Sequence, residues 1–210
     1  MNSQPTVLIV SSNPVLLDQC ASFAFDHDLA SRGLDDVEAL AGACSRVEVG
    51  CVVFDLALAG IEEFESSPRL AANGATLPAI ALAERGDVPA IQTAVKAGNV
   101  AVLEKPIAPP VLLERIHDAL LASRSARLAA DTRSEILRRV QRLAPEERAV
   151  LDGMLAAQAN KALAKEHGCS VRAIEARRAK VMTTLAAGSI DDVIRLMAMV
   201  KPHFGDRVPL

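Results

Sequence analysis

Tryptophan and tyrosine are absent from this chain, and phenylalanine occurs only five times in 210 residues. Hydrophobic residues still make up 50% and alanine is very common, so the core has to be packed from Ala, Leu and Val; the composition is that of a globular protein. No apolar run approaches the ~20 residues of a membrane span. Residues 1–10 lack the basic segment and long apolar core of a signal peptide, so a cytoplasmic location is expected. The four cysteines (Cys20, Cys44, Cys51, Cys169) form no CxxC pair and read as reduced, structural thiols; no metal site is expected. His27, His117, His167 and His203 show no metal-ligand spacing. There is no GxGxxG, no phosphate-binding loop and no pair of catalytic carboxylates, so an enzyme is not expected.

Charge is unevenly spread. Residues 1–110 hold 6 Lys/Arg against 14 Asp/Glu, a net of −8, whereas residues 111–210 hold 17 against 12, a net of +5. The split is equally compatible with a nucleic-acid partner for the second half and with two ordinary domains.

The first half alternates apolar runs with amphipathic stretches. Residues 7–10, 51–54, 78–82 and 100–103 read as buried strands, with a weaker strand or turn near 29–32. Residues 14–25 predict a helix with Asn13 as N-cap and Pro14 at its first position; residues 88–96 predict another, ended by Gly98. Continuous apolar strands alternating with helices indicate an α/β domain built on a five-stranded, doubly wound parallel sheet. After Pro109-Pro110 breakers almost vanish to Leu143, and Leu112, Ile116, Leu120, Leu128, Ile136 and Val140 supply spaced apolar positions. This is a long helix, lying along its own domain or pairing as a coiled coil; the heptad is not clean enough to decide. Then come four short helices: one opening at Ala144-Pro145-Glu146-Glu147, one over 160–167, a Gly168-Cys169 turn, one capped by Ser170 and reaching 185, and one over 190–200. That is a helix-turn-helix arrangement. The predicted domains are 1–122 (α/β), 123–142 (helical linker) and 143–210 (all-α).

On a wheel of residues 170–185, Val171, Ile174, Val181 and Leu185 share one face. The opposite face carries Arg172, Ala176, Ala179, Lys180 and Thr183, with Glu175 at its edge. Small residues let a helix sit deep in the major groove, and Arg or Lys reach phosphates and guanine edges. Residues 161–180 hold six Lys/Arg against two Glu. A solvated face is the plainer explanation of a lone basic helix; the turn, the cap and the preceding helix weigh against it here.

The stretch "LAPEERAVLDGMLAAQANKALAKEHGCSVRAIEARRAKVMTTLAA", residues 143–187, resembles the C-terminal DNA-binding domain of LuxR/FixJ-type regulators. The resemblance implies that the helix from Ser170 reads the major groove of double-stranded DNA, with Lys161 and Ser170 on backbone phosphates. It makes Asn160, Lys161, Ser170, Val171, Arg172, Glu175, Ala176, Arg177, Ala179 and Lys180 the expected DNA-facing set. Ala162 stands where the family usually has Glu, and Arg177 where it usually has His. Arg178 is expected to pair with a carboxylate such as Glu147. Helix-turn-helix proteins commonly bind paired half-sites, so a homodimer is expected, through the last helix or the linker.

The first half resembles the receiver (flavodoxin-like) domain of response regulators, chiefly the FixJ branch, through "VLIVSSNPV", "CVVFDLALAG" and "GDVPAIQTAVKAGNVAVLEKP". In that family the Asp ending the third strand accepts a phosphoryl group from a histidine kinase; Asp55 matches it, and Lys105 matches the Lys that pairs with the phosphoryl oxygens. Phosphoryl transfer to a carboxylate needs Mg²⁺, which takes hard oxygens and one or two carboxylates. The family's acidic pair is replaced by Ser11-Ser12-Asn13, its switch Thr/Ser by Ala83, and its switch aromatic by Val102; the Met-Pro after the phosphorylated Asp is also missing. The expectation is a degenerate receiver in which Asp55 pairs with Lys105, and a transcription regulator working without Mg²⁺-dependent phosphorylation and without a cofactor. Such a domain would signal through dimerisation, a small ligand or a protein partner. The alternatives are an ordinary response regulator phosphorylated on Asp55 with Mg²⁺, and an adaptor that keeps its helix-turn-helix only to bind protein.

Overall fold

A computed structural model of the chain describes residues 4–36, 38–58, 71–72, 75–96 and 100–200. The chain divides into two compact units, residues 1–130 and 131–210.

The first unit is a five-stranded parallel sheet in the order β2-β1-β3-β6-β7. Its strands are β1 (Thr6–Val10), β2 (Ala30–Leu34), β3 (Gly50–Asp55), β6 (Ala79–Ala83) and β7 (Val100–Glu104); β4 (Ala71–Ala72) and β5 (Ala75–Thr76) form a separate small antiparallel pair. The helices are α1 (Pro14–Asp26), α2 (Glu38–Cys44), α3 (Val88–Lys96) and the start of α4 (Pro109–Gln141). Alternation along the strands divides the interior. Leu8, Val10, Val52, Phe54, Ala79, Ala81 and Ala83 pack with Leu40, Ala43 and Cys44 of α2 and Ala94 of α3. Val7, Ile9, Cys51, Val53, Ile80 and Leu82 pack with Cys20 of α1 and Leu112, Ile116 and Leu120 of α4. Both sheet faces are thus covered, and this is why β1, β3 and β6 read as unbroken apolar runs. Asn13 caps α1 as expected, its Oδ1 accepting from the Val15 and Leu16 N–H groups at 3.0 and 3.4 Å. Gly98, expected to end α3, lies outside the described residues.

Burial holds the thiols of Cys20, Cys44 and Cys51 out of reach. It pushes Cys44 up to about 11 and Cys51 up to about 12, and it raises Cys20, with the Asp55 charge adding to the effect. Among the described residues no helix is long and apolar enough to cross a membrane.

The 123–142 stretch read as linker is helical through Gln141, and from Asp131 it belongs to the second unit, where Ile136 and Val140 are buried. Leu128, expected among the apolar positions of this helix, is instead 70% exposed. It falls between the turns that face the two cores, and belongs to neither.

The second unit adds α5 (Pro145–Leu155), α6 (Asn160–Glu166), α7 (Val171–Leu185) and α8 (Ile190–Val200). Its core joins Leu143, Val150, Leu151, Met154, Leu163, Ile174, Val181, Leu185, Val193 and Met197. Glu147 and Asp192 secure helix starts: Glu147 Oε2 accepts from the Ala144 N–H at 2.9 Å, and Asp192 Oδ2 accepts from Ser189 Oγ at 2.9 Å and from the Gly188 N–H at 3.1 Å. Two of its turns pass through left-handed alanines, Ala157 after α5 and Ala186 at the end of α7, each with φ 54°. Gly168, with φ 59°, makes the turn between α6 and α7.

Gly153 leaves room for two neighbouring side chains, because a methyl group there would run into the buried Leu163 side chain and the Gln158 amide. Gly153→Ala is expected to lower the stability of this unit by about 1–3 kcal/mol through overpacking, read as a lower urea midpoint; an unchanged midpoint would show that the Leu163 and Gln158 side chains move aside freely.

Candidate functional site

Polar side chains of the first unit converge where β1, β3, β6 and β7 reach their carboxyl ends, beside the point where the strand order reverses between β1 and β3. Asp55 closes β3 and is 4% exposed. Its Oδ2 accepts from Ser11 Oγ at 2.9 Å; its Oδ1 accepts from Lys105 Nζ at 2.7 Å and from the Ala57 N–H at 3.1 Å. Ser11, fully buried after β1, also accepts from the Asn13 N–H at 3.1 Å. Lys105 reaches a second carboxylate, Glu84 Oε1, at 2.9 Å, and its backbone N–H is held by the Ala83 carbonyl at 2.9 Å. Asp55 is therefore a buried charge that is both paired and hydrogen-bonded, the arrangement that makes burial tolerable.

As a Mg²⁺ site the donor set falls short. Asp55 contributes the sole buried carboxylate among the described residues, and both its oxygens are engaged. Ser11 directs its hydroxyl hydrogen at Asp55, Asn13 Oδ1 caps α1, and Ser12 is exposed without a bond to the cluster. Mg²⁺ takes an octahedron of hard oxygens with carboxylate charge among them, and these residues do not supply it.

In the second unit, α6, the Gly168 turn and α7 form the expected helix-turn-helix. Ser170 caps α7, its Oγ accepting from the Ala173 N–H at 3.2 Å. Ile174, Val181 and Leu185 point into the core, and Arg172, Glu175, Ala176, Ala179 and Lys180 are exposed. Lys161 is exposed on α6 and Asn160 is half-buried at its first position. Arg177 is half-buried and donates from a guanidinium nitrogen to Cys169 Sγ at 3.6 Å, bracing α7 against the turn.

Residues 7–117 match the model of the response regulator receiver domain. The transcriptional regulatory protein FixJ of Bradyrhizobium diazoefficiens is 32% identical over 199 residues, covering 93% of this chain and 96% of that protein. FixJ of Azorhizobium caulinodans is 36% identical over 155 residues, covering 73% and 74%. This chain is a FixJ-type response regulator. Among solved structures, the response regulator StyR superposes with a TM-score of 0.74 at 22% identity over 93% of this chain and 99% of that one, which shows the shared fold. Full-length FixJ from B. japonicum gives 0.50 at 27% identity, covering 96% and 99%.

In this response regulator two side-chain expectations need correction, and one residue of the cluster lay outside them. Val171, placed by the wheel on the inner face, is 40% exposed, because the first turn of α7 projects past the core that Ile174 reaches. Arg178 forms no ion pair with Glu147; that carboxylate is engaged at the N-terminus of α5. Glu84 went unnoticed in the sequence. Its signal was position: it directly follows Ala83 at the end of a strand whose neighbours carry Asp55 and Lys105.

Burial alone would lower the Lys105 pKa, but hydrogen bonds to Asp55 and Glu84, together with their charges, outweigh it and hold the ammonium above its ordinary value. A folded-state pKa above the unfolded one gives stability that is complete below about pH 10.4 and fades as pH rises through the folded value. The stability gap between wild type and Lys105→Met should therefore narrow above about pH 10, read as converging urea midpoints; a constant gap would show that the cation does not stabilise the cluster.

Proposed function

We propose that this response regulator is a DNA-binding transcription regulator whose receiver unit is controlled without Mg²⁺-dependent phosphorylation. The observation that carries the second part is the occupation of Asp55: Ser11, Lys105 and the Ala57 N–H already satisfy both oxygens of the carboxylate that would have to attack a phosphoryl group. Ala83 has no hydroxyl with which to follow a phosphoryl oxygen, so a modified Asp55 would lack that route to the rest of the unit. Control then falls to a protein partner, a small ligand or association of the receiver units.

The first part rests on α7. Its cap, its buried seam and its small, basic outer face suit entry into the major groove of double-stranded DNA, and relatives similar over most of the chain are named transcriptional regulatory proteins. Arg172 and Lys180 form no ion pair among the described residues and so are free to meet phosphates. A homodimer is part of the same reading, since helix-turn-helix proteins commonly bind paired half-sites, and exposed apolar residues on α8 support it: Ile190 and Ile194, one turn apart, and Met199.

A specific observation keeps the ordinary reading in play, namely phosphorylation of Asp55 by a histidine kinase: Asp55 and Lys105 stand together at the carboxyl edge of the sheet.

Intact-protein mass spectrometry after incubation with acetyl phosphate and Mg²⁺ separates the two. No phosphate-sized increase is expected; an increase that disappears in Asp55→Asn would establish the ordinary mechanism instead. For the DNA face, the double substitution Arg172→Ala, Lys180→Ala should weaken binding and flatten the plot of log affinity against log salt by up to roughly 2 in slope, about 0.9 for each phosphate that is no longer neutralised. An unchanged slope would show that α7 does not meet the phosphates.

A further inference from the structure

A carboxylate stands on the face of α7 that is otherwise small and basic. Glu175 is exposed one turn from Arg172 and beside Ala176. Glu135 pairs with Arg138 and Arg139, Glu147 with the Ala144 N–H, and Asp192 with Ser189, Gly188 and Arg195; Glu146, Glu166 and Asp191 form no such contact among the described residues, but they lie on α5, α6 and α8 rather than on α7. Glu175 forms no hydrogen bond or ion pair among the described residues, although Arg172 at i−3 and Arg178 at i+3 lie at helical spacings where such pairs form. It caps nothing and neutralises nothing. On a surface that approaches phosphates, a free negative charge weakens binding to every DNA sequence alike, unless a base offers it a donor.

We propose that Glu175 is a base-reading residue that selects cytosine in each half-site. This rests on the DNA-binding reading of α7 and adds to it the identity of a base. An ionised carboxylate only accepts hydrogen bonds. In the major groove cytosine presents the N4 amino donor, whereas guanine presents the N7 and O6 acceptors and thymine the O4 acceptor. Adenine offers N6 but sets the N7 acceptor beside it, so it is the poorer match. Glu175 thus attracts at cytosine and repels at guanine and thymine, and the same charge suppresses binding to unrelated sequence. The flanking residues permit the approach: Ala176 and Ala179 carry only methyl groups, which also suit packing against a thymine methyl.

The test is selection of binding sites from a randomised duplex by the full-length wild type, Glu175→Gln and Glu175→Ala. Wild type should enrich cytosine at one position of each half-site, and replacing that base pair should lower affinity roughly 5- to 150-fold, the equivalent of 1–3 kcal/mol. Glu175→Gln should move the preference there to adenine, whose N6 and N7 suit a carboxamide, and leave the other positions as they were. Glu175→Ala should lose the preference there and bind unrelated DNA more tightly. The same base preferences in all three proteins, with sites well selected, would overturn the inference while leaving DNA binding by α7 intact. A wild type that enriches no sequence would overturn both.

Discussion

A parallel sheet buried on both faces leaves polar side chains few places to gather other than the ends of its strands. In the first unit Val7 to Val10, Cys51 to Phe54 and Ala79 to Ala83 are buried without interruption, so chemistry is confined to the carboxyl edge. There the burial of one charge, Asp55, dictates its surroundings. A carboxylate 4% exposed must be matched by a cation and by donors for its remaining lone pairs, and Lys105, Ser11 and the Ala57 N–H meet that requirement from three different chain segments. The cluster ties the exits of β1, β3 and β7 together. The Glu84 interaction is of another kind: its carboxylate is 62% exposed, and a pair of that sort is worth ~0–1 kcal/mol. Its role is to orient Lys105 from the solvent side.

What the sequence reveals follows from how strongly each element depends on burial. The central strands are legible because two covered faces demand continuous apolar residues. β2 is hardly legible, since an edge strand with Ser31, Arg32 and Gly33 exposed has no such demand. α2 escapes notice because seven residues rich in Ala and Gly carry too short a period. The helix-turn-helix is legible to within a residue or two, its ends being marked by chemistry that acts locally: Ser170 as cap, Gly168 in the left-handed turn. Side-chain partners are the hardest to read. Arg178 and Glu147 sit on neighbouring helices, but a capping interaction three residues away claimed the carboxylate first. Ser11 and Asp55 are 44 positions apart, and nothing in the local sequence joins them; the family resemblance did that.

The two units treat charge in opposite ways. The acidic first unit internalises its key carboxylate and satisfies it completely. The basic second unit engages two acids, Glu147 and Asp192, at helix starts, and leaves Arg172, Lys180 and Glu175 exposed and uncommitted on one helix face. Groups without partners inside the fold are available for partners outside it, which is the physical content of calling α7 a binding surface.

The left-handed alanines at Ala157 and Ala186 bear on how rigidly that surface is held. The conformation costs an L-residue with a Cβ roughly 1–2 kcal/mol, and glycine would adopt it freely. Glycine would also open many neighbouring conformations. With alanine, the joints before α6 and after α7 each accept a narrow range of angles, at a small cost in equilibrium stability. Mechanically, the helix-turn-helix resembles a part clamped at both ends by stiff brackets, and its thermal motion should be correspondingly small beside that of a version with glycine joints.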